Sequence, residues 1–152
     1  MSTNIGATGM ATVIKASATY PNGFTVDAYA DDADPIDMPA IDIAATGMDV
    51  NGNLYYWNSP VPLDFTVNVN PGTEQDRNLS ILFEANRAAK GKTTARDDIT
   101  IVQTMPDGST VSLSGGVIVN GAPGVSVASA GRKKSKSYLF RFESIAVTAA
   151  TI

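Results

Sequence analysis

Apolar and polar residues alternate along most of this chain with a period of two, the pattern of half-buried strands. Residues 63–70 show it most cleanly. Leu63, Phe65, Val67 and Val69 fall on one face, and Asp64, Thr66, Asn68 and Asn70 on the other. Such a segment rests one face on a core and turns the other to water or to a wet channel. Tyr138, Phe140 and Phe142 alternate with Leu139, Arg141 and Glu143 in the same way, and residues 145–147 extend that strand. Residues 99–105, 110–113 and 117–120 predict further strands, with Pro106-Asp107-Gly108 as a turn and Gly115-Gly116 as a bulge. A short strand is expected near 125–128, inside a Gly-rich stretch.

The first third reads as hairpins. Residues 11–19 are β-permissive, Pro21-Asn22-Gly23 predicts the turn, and Phe24, Val26 and Ala28 alternate with Thr25, Asp27 and Tyr29. Residues 30–40 interrupt this: four Asp (Asp31, Asp32, Asp34, Asp37) and two Pro disfavour both a helix and a central strand, which predicts an acidic loop. Strand character returns at Ile41, Ile43 and Ala45. Val50-Asn51-Gly52-Asn53 carries the Asn-Gly hairpin signal, followed by the aromatic run Tyr55-Tyr56-Trp57 and a Ser59-Pro60-Val61-Pro62 kink.

One segment has a helical period. Thr73 is the expected N-cap, with Glu74 and Asp76 in the first turn, where the helix dipole favours acids. Leu79, Leu82, Phe83, Asn86 and Ala89 lie on one stripe, Ile81, Ala85 and Ala88 widen it, and Gly91 is the expected stop. The spacing predicts a helix over about 74–90. Short strands, tight turns and one helix define a mainly β chain: a sandwich or barrel of antiparallel strands with one packed helix. The 152 residues suit a single domain over 1–152, with an N-terminal arm at 1–10.

Composition narrows the chemistry. There is no Cys and no His, so Ser-His-Asp and Cys-His nucleophile arrangements are excluded, along with Cys- or His-based metal sites. No phosphate-binding Gly-rich loop precedes a helix. The four Asp of the acidic loop lack the glycine and closing glutamate of an EF-hand, so a solvated or inter-subunit loop is favoured over a metal loop. No catalytic residue, cofactor site or metal site is assigned, and the chain is expected not to be an enzyme. The start has neither a basic segment nor a long apolar run, and no run reaches the length of a membrane span. A soluble, non-secreted protein is expected.

Charge is unevenly spread. Residues 1–64 carry eight Asp and one Lys, net −7; residues 65–152 carry seven acids and ten bases, net +3. Unlike halves can pair copies head to tail. The run Arg132, Lys133, Lys134, Lys136 reads as a partner for the acidic loop of a neighbouring copy, as a charged edge that blocks wrong sheet pairing, or as a nucleic-acid or membrane contact. The aromatic run 55–57 is either an interface or a sugar platform, with half of its side chains expected to face the core.

The N-terminal hairpins, the Val50-Asn51-Gly52-Asn53 turn, the strand Phe65-Thr66-Val67-Asn68-Val69, the Pro71-Gly72-Thr73 that follows, and the helix pattern 78–87 resemble bacteriophage tail tube proteins, in particular those of contractile-tailed phages. The type VI secretion tube protein shares that fold. The resemblance implies hexameric rings stacked into a hollow conduit for DNA delivery, each subunit giving strands to an inner barrel, with loops and arms joining rings. It implies partners: the chain itself, sheath, baseplate and tail terminator proteins, with tape measure protein and genomic DNA passing the lumen unbound, and no membrane. It places the protein in the virion tail after synthesis in the host cytoplasm. The tube lumen of such proteins is usually acidic, so Arg132, Lys133, Lys134 and Lys136 are expected to point away from it, and Asp64, Thr66, Asn68 and Asn70 are the expected lumen row. The competing reading is a virion decoration or fibre protein, or a carbohydrate-binding β-sandwich that uses Tyr55, Tyr56 and Trp57.

Overall fold

The computed structural model describes residues 5–148. The first four residues of the expected arm and the end of the chain lie outside that range. Ten strands and one helix follow in order: β1 (Ala11–Ala16), β2 (Tyr20–Val26), β3 (Ile36–Asp37), β4 (Ala44–Met48), β5 (Leu54–Asn58), β6 (Leu63–Val69), α1 (Glu74–Asn86), β7 (Ile99–Thr104), β8 (Thr110–Asn120), β9 (Lys136–Phe142) and β10 (Ser144–Thr148). All pairings are antiparallel, in the order β2-β1-β7-β8-β9-β6-β3, with β10 also on β8 and with β4-β5 as a separate pair. The chain is a mainly β sandwich with one helix, as the alternation predicts.

Strand β8 makes the sandwich. Its first half lies between β7 and β10; its second half pairs with β9. Between the halves, Ser114 and Gly115 together face Thr100 of β7, a bulge one residue before the expected Gly115-Gly116, while Ser114 keeps its pairing with Ser144 of β10. Gly115 has φ +67°, and a Cβ on Gly116 would overlap the Phe142 ring. The strand bends there and passes from one layer to the other. The layers enclose one core: Ile14, Ala16, Val26, Ile99, Ile101 and Leu113 from the first, Phe65, Val67, Val69, Tyr138, Phe140 and Phe142 from the second, and Leu79 and Leu82 from α1.

The helix starts where expected: Thr73 Oγ1 accepts from the Asp76 backbone N–H at 3.1 Å. It ends at Asn86 rather than near 90, with Arg87 extended at φ −85°, ψ 125°. Asn86 accounts for the early stop. Its amide donates to the Leu82 carbonyl and to Asp97, and its oxygen accepts from the Asp97 N–H. Leu79 and Leu82 are buried, whereas Phe83 is only half-buried.

The first hairpin also differs from the expected one. The turn is at residues 17–19, and Pro21-Asn22-Gly23 lies within β2 as a bulge opposite Lys15, with Gly23 at φ +79°. Asp97 decides this. Its carboxylate accepts from the N–H groups of Ala18 (2.7 Å) and Thr19 (2.9 Å) and from the Thr19 hydroxyl, which satisfies the tight turn. A long-range carboxylate thus overrides a local turn signal. The expected strand around 41–43 begins only at Ala44, and the expected strand at 125–128 is a single bridge between Val127 and Lys133.

Candidate functional site

The surfaces that stand out are apolar ones left without cover. Asp49 builds the first. Its Oδ1 accepts from the N–H groups of Asn51 and Asn53, both at 2.9 Å, and its Oδ2 from Asn53 Nδ2 and the Tyr55 hydroxyl. The Asn53 side-chain bond first, and then its backbone N–H, hold the Asp49 carboxyl below its ordinary pKa. This turn closes β4 on β5 with Met48 opposite Leu54, a hairpin where the Asn-Gly signal predicts one but with a longer connection than a two-residue turn. The hairpin projects from the sandwich. Every residue of β5 is exposed, and Trp57 (56%), Tyr56 (69%) and Met48 (67%) stay open on both sides. The expectation that half of the aromatic run would face the core is therefore corrected: no core lies behind it. Burying one such side chain is worth about 1.5–3 kcal/mol, so the hairpin carries a large unspent driving force for association.

A second uncovered surface is β10. Ile145 and Val147 sit opposite Leu113 and Val111 on the core side of the sheet, yet remain 43% and 68% exposed. The strand overhangs the sandwich.

The acidic loop and the basic run meet within one chain. Arg132 donates through Nη1 and Nη2 to the Asp31 carboxylate at 3.2 and 3.1 Å, which lowers the Asp31 pKa and raises that of Arg132. The Ser135 hydroxyl donates to Asp32. Part of the loop is an edge strand: Ile36 pairs with Val67 and Asp37 with Thr66, and Asn68 Nδ2 donates to the Asp34 carbonyl. Lys133 and Lys134 are exposed at a tip closed by Ala128 N–H to Arg132 O (2.8 Å) and Lys134 N–H to Ser126 O (2.7 Å), and no ion pair among the described residues involves them. Lys136 departs from the surface role expected of it. The residue is half-buried and its side chain only 11% exposed, with Nζ 3.5 Å from Asp76 Oδ2 and 3.2 Å from Ser80 Oγ.

The row Asp64, Thr66, Asn68, Asn70 does lie on the outward face of β6, half-buried. Much of its polarity is spent inside the chain. Asp64 accepts from Arg141 Nε at 2.8 Å, and Asn70 Oδ1 accepts from the Asp31 N–H at 3.3 Å.

The titratable groups set apart by their surroundings serve the fold. Burial pushes the Tyr138 hydroxyl well above its usual range; it donates to Asp76 and shares a hydrogen bond with Ser80. Among the described residues no group of three or more acids is placed to hold a metal ion, and no helix is long and apolar enough to cross a membrane. An open cleft of about 480 Å³ has Met10, Ile36, Met38, Met105 and Val111 on its walls, with Gln103 as its polar member.

This fold is that of contractile-tail tube components. The chain is similar over its whole length to a protein of the anti-feeding prophage baseplate, solved with 6-fold symmetry (TM-score 0.57, 10% identity, 100% of both chains). It is similar to the anti-feeding prophage tube-terminating cap (0.51, 12%, 99% of this chain and 95% of that one). It also matches the PVC sheath/tube terminator of an extracellular contractile injection system (0.53, 13%, 98% and 99%). The family model of tail fiber protein gp32 matches residues 3–146, and the chain belongs to that family. No curated protein sequence matches it.

Proposed function

We propose that this chain is a non-catalytic structural subunit of a contractile-type phage tail, assembling as hexameric rings that stack into a hollow tube. The observation that carries the reading is the β4-β5 hairpin: a well-closed hairpin, apolar on both faces, that none of the described residues covers. A second copy is the simplest cover, because a patch that meets a different surface on its neighbour makes head-to-tail contacts, which close into rings where the rotation between copies divides a full turn. The tube-type fold supports the same reading, as does the sixfold symmetry of one similar structure. Sheath, baseplate and terminator proteins are the expected neighbours, and genomic DNA and the tape measure protein the expected traffic, in a virion tail assembled in the host cytoplasm.

The family description favours a second reading, a tail fibre component. Electron microscopy of the purified chain separates the two. Rings or tubes with an open centre support the tube subunit; solid rods or discrete trimers support the fibre.

A further inference from the structure

We propose that the channel wall of the assembled tube is the outward face of the β2-β1-β7-β8-β10 layer, joined from copy to copy along β10, and not the Asp64–Asn70 row of β6. The proposal rests on the tube reading and names the surface that does its work.

The argument begins with edges. A sheet continues into a neighbouring copy only through an edge strand whose backbone groups are open. The β6 side of the sheet ends in β3, two residues long, preceded by Pro35 and ending in Asp37, beside the Asp31–Arg132 pair. Short length, proline and charge are the features that block further pairing. β10 has none of them. Its sequence is Ser-Ile-Ala-Val-Thr, every residue is exposed, and among the described residues it pairs on one side only, with β8, as β2 at the layer's other edge pairs only with β1. Its core-side residues Ile145 and Val147 already overhang the second layer, so a neighbour that extends this sheet also covers them.

Orientation then follows. One side of this layer is the protein core, built on Ile14, Ile101 and Leu113. Only the opposite side can face a channel. The register shows what it carries. Lys15 lies opposite Thr100, Thr104 opposite Thr110, Val102 opposite Ser112, and Ser114 opposite Ser144. At its strand positions this face is a field of hydroxyls and small apolar groups, with Lys15 its single charged member. Hydroxyls exchange hydrogen bonds with water and hold no counterion. Affinity for a polyanion grows with each cationic contact, so a nearly uncharged wall lets such a polymer pass without being trapped. The β6 face is different: it presents the Asp64–Arg141 pair, with Leu139 and the exposed Val117 and Val119 on the neighbouring strands.

The natural absence of cysteine gives the test. Ser114→Cys, Thr104→Cys and Thr66→Cys are made singly, assembled, checked by microscopy, and treated with a small maleimide or with a 5-kDa-class polyethylene glycol maleimide too large to enter long tubes. In intact tubes Ser114→Cys and Thr104→Cys are expected to react with the small reagent and at least about tenfold more slowly with the large one; dissociation to subunits should remove the difference. Fast reaction of both with the large reagent in intact tubes, or selective shielding of Thr66→Cys instead, overturns the wall assignment while leaving the tube reading standing. Absence of rings and tubes from the unmodified chain overturns both.

Discussion

Lys136 Nζ lies 3.5 Å from Asp76 Oδ2, and both side chains are about nine-tenths buried. The pair joins the start of β9 to the first turn of α1. Asp76 also accepts from the Gly72 N–H and the Tyr138 hydroxyl, and Ser80 bridges Lys136 to Tyr138. Removing one member of a buried pair leaves the other charge uncompensated, which costs about 3–5 kcal/mol. Lys136→Met and Asp76→Asn should each fall in that range by chemical denaturation of the monomeric subunit. The double variant should lose clearly less than the sum. Additive losses would show that the two groups do not interact.

The bend in β8 depends on close contact between Gly116 and Phe142. Gly116→Ala drives a methyl into the ring, and overpacking of this kind costs about 1–3 kcal/mol. Thermal denaturation is expected to show most of that loss disappearing when Phe142→Leu makes room. An equal loss in both backgrounds would place the strain elsewhere.

Asp97 makes stability depend on acid. Burial pushes its pKa up, but the hydrogen bonds from Thr19 and Asn86 and the backbone of Thr19 and Ala18 outweigh it, so the folded value lies below the ordinary 3.8. As pH falls, the unfolded chain therefore takes up the proton first. The contribution is complete above about pH 4 and is lost as pH falls below 3.8 through the folded value. Asp97→Asn should lower stability at neutral pH by about 1–3 kcal/mol, since buried donors lose a charged acceptor. It should also flatten the acid limb of a stability–pH curve. An unchanged acid limb would assign that limb to other carboxylates.

The hairpin is expected to separate folding from assembly. Tyr56→Ser with Trp57→Ser removes apolar surface that touches no core, so Tm of the monomeric subunit should stay within about 2–4 °C, the shift worth 1 kcal/mol in a chain of this size. Sedimentation should show the assembled species lost. Normal assembly by this variant would mean that the hairpin is not the contact.

Much of this was legible in the sequence because period-two alternation reports burial directly: the alternating row of β6, the aromatic row of β9, the glycine bulge of β8 and the Thr73 cap all stand where the pattern puts them. The misses at the first turn, the helix end and the basic run share a physical cause, which is side-chain contact with another part of the chain. Nothing near Pro21-Asn22-Gly23 reveals that Asp97 holds the turn before it, and nothing near Gly91 reveals that Asn86 turns to Asp97 and stops the helix. Charge complementarity between the acidic loop and the basic run was visible, but not that Arg132 finds Asp31 of its own chain or that Lys136 turns inward. The aromatic run looked half-buried because alternation normally implies a core; a hairpin standing clear of the sandwich has the same pattern and no core behind it.

Electron microscopy of the purified, unmodified chain over a concentration series tests the central claim most directly. A tube subunit should appear as rings of uniform diameter with an open centre, stacking into hollow tubes as concentration rises. A population that stays monomeric at every concentration, or that forms only solid rods, would contradict it.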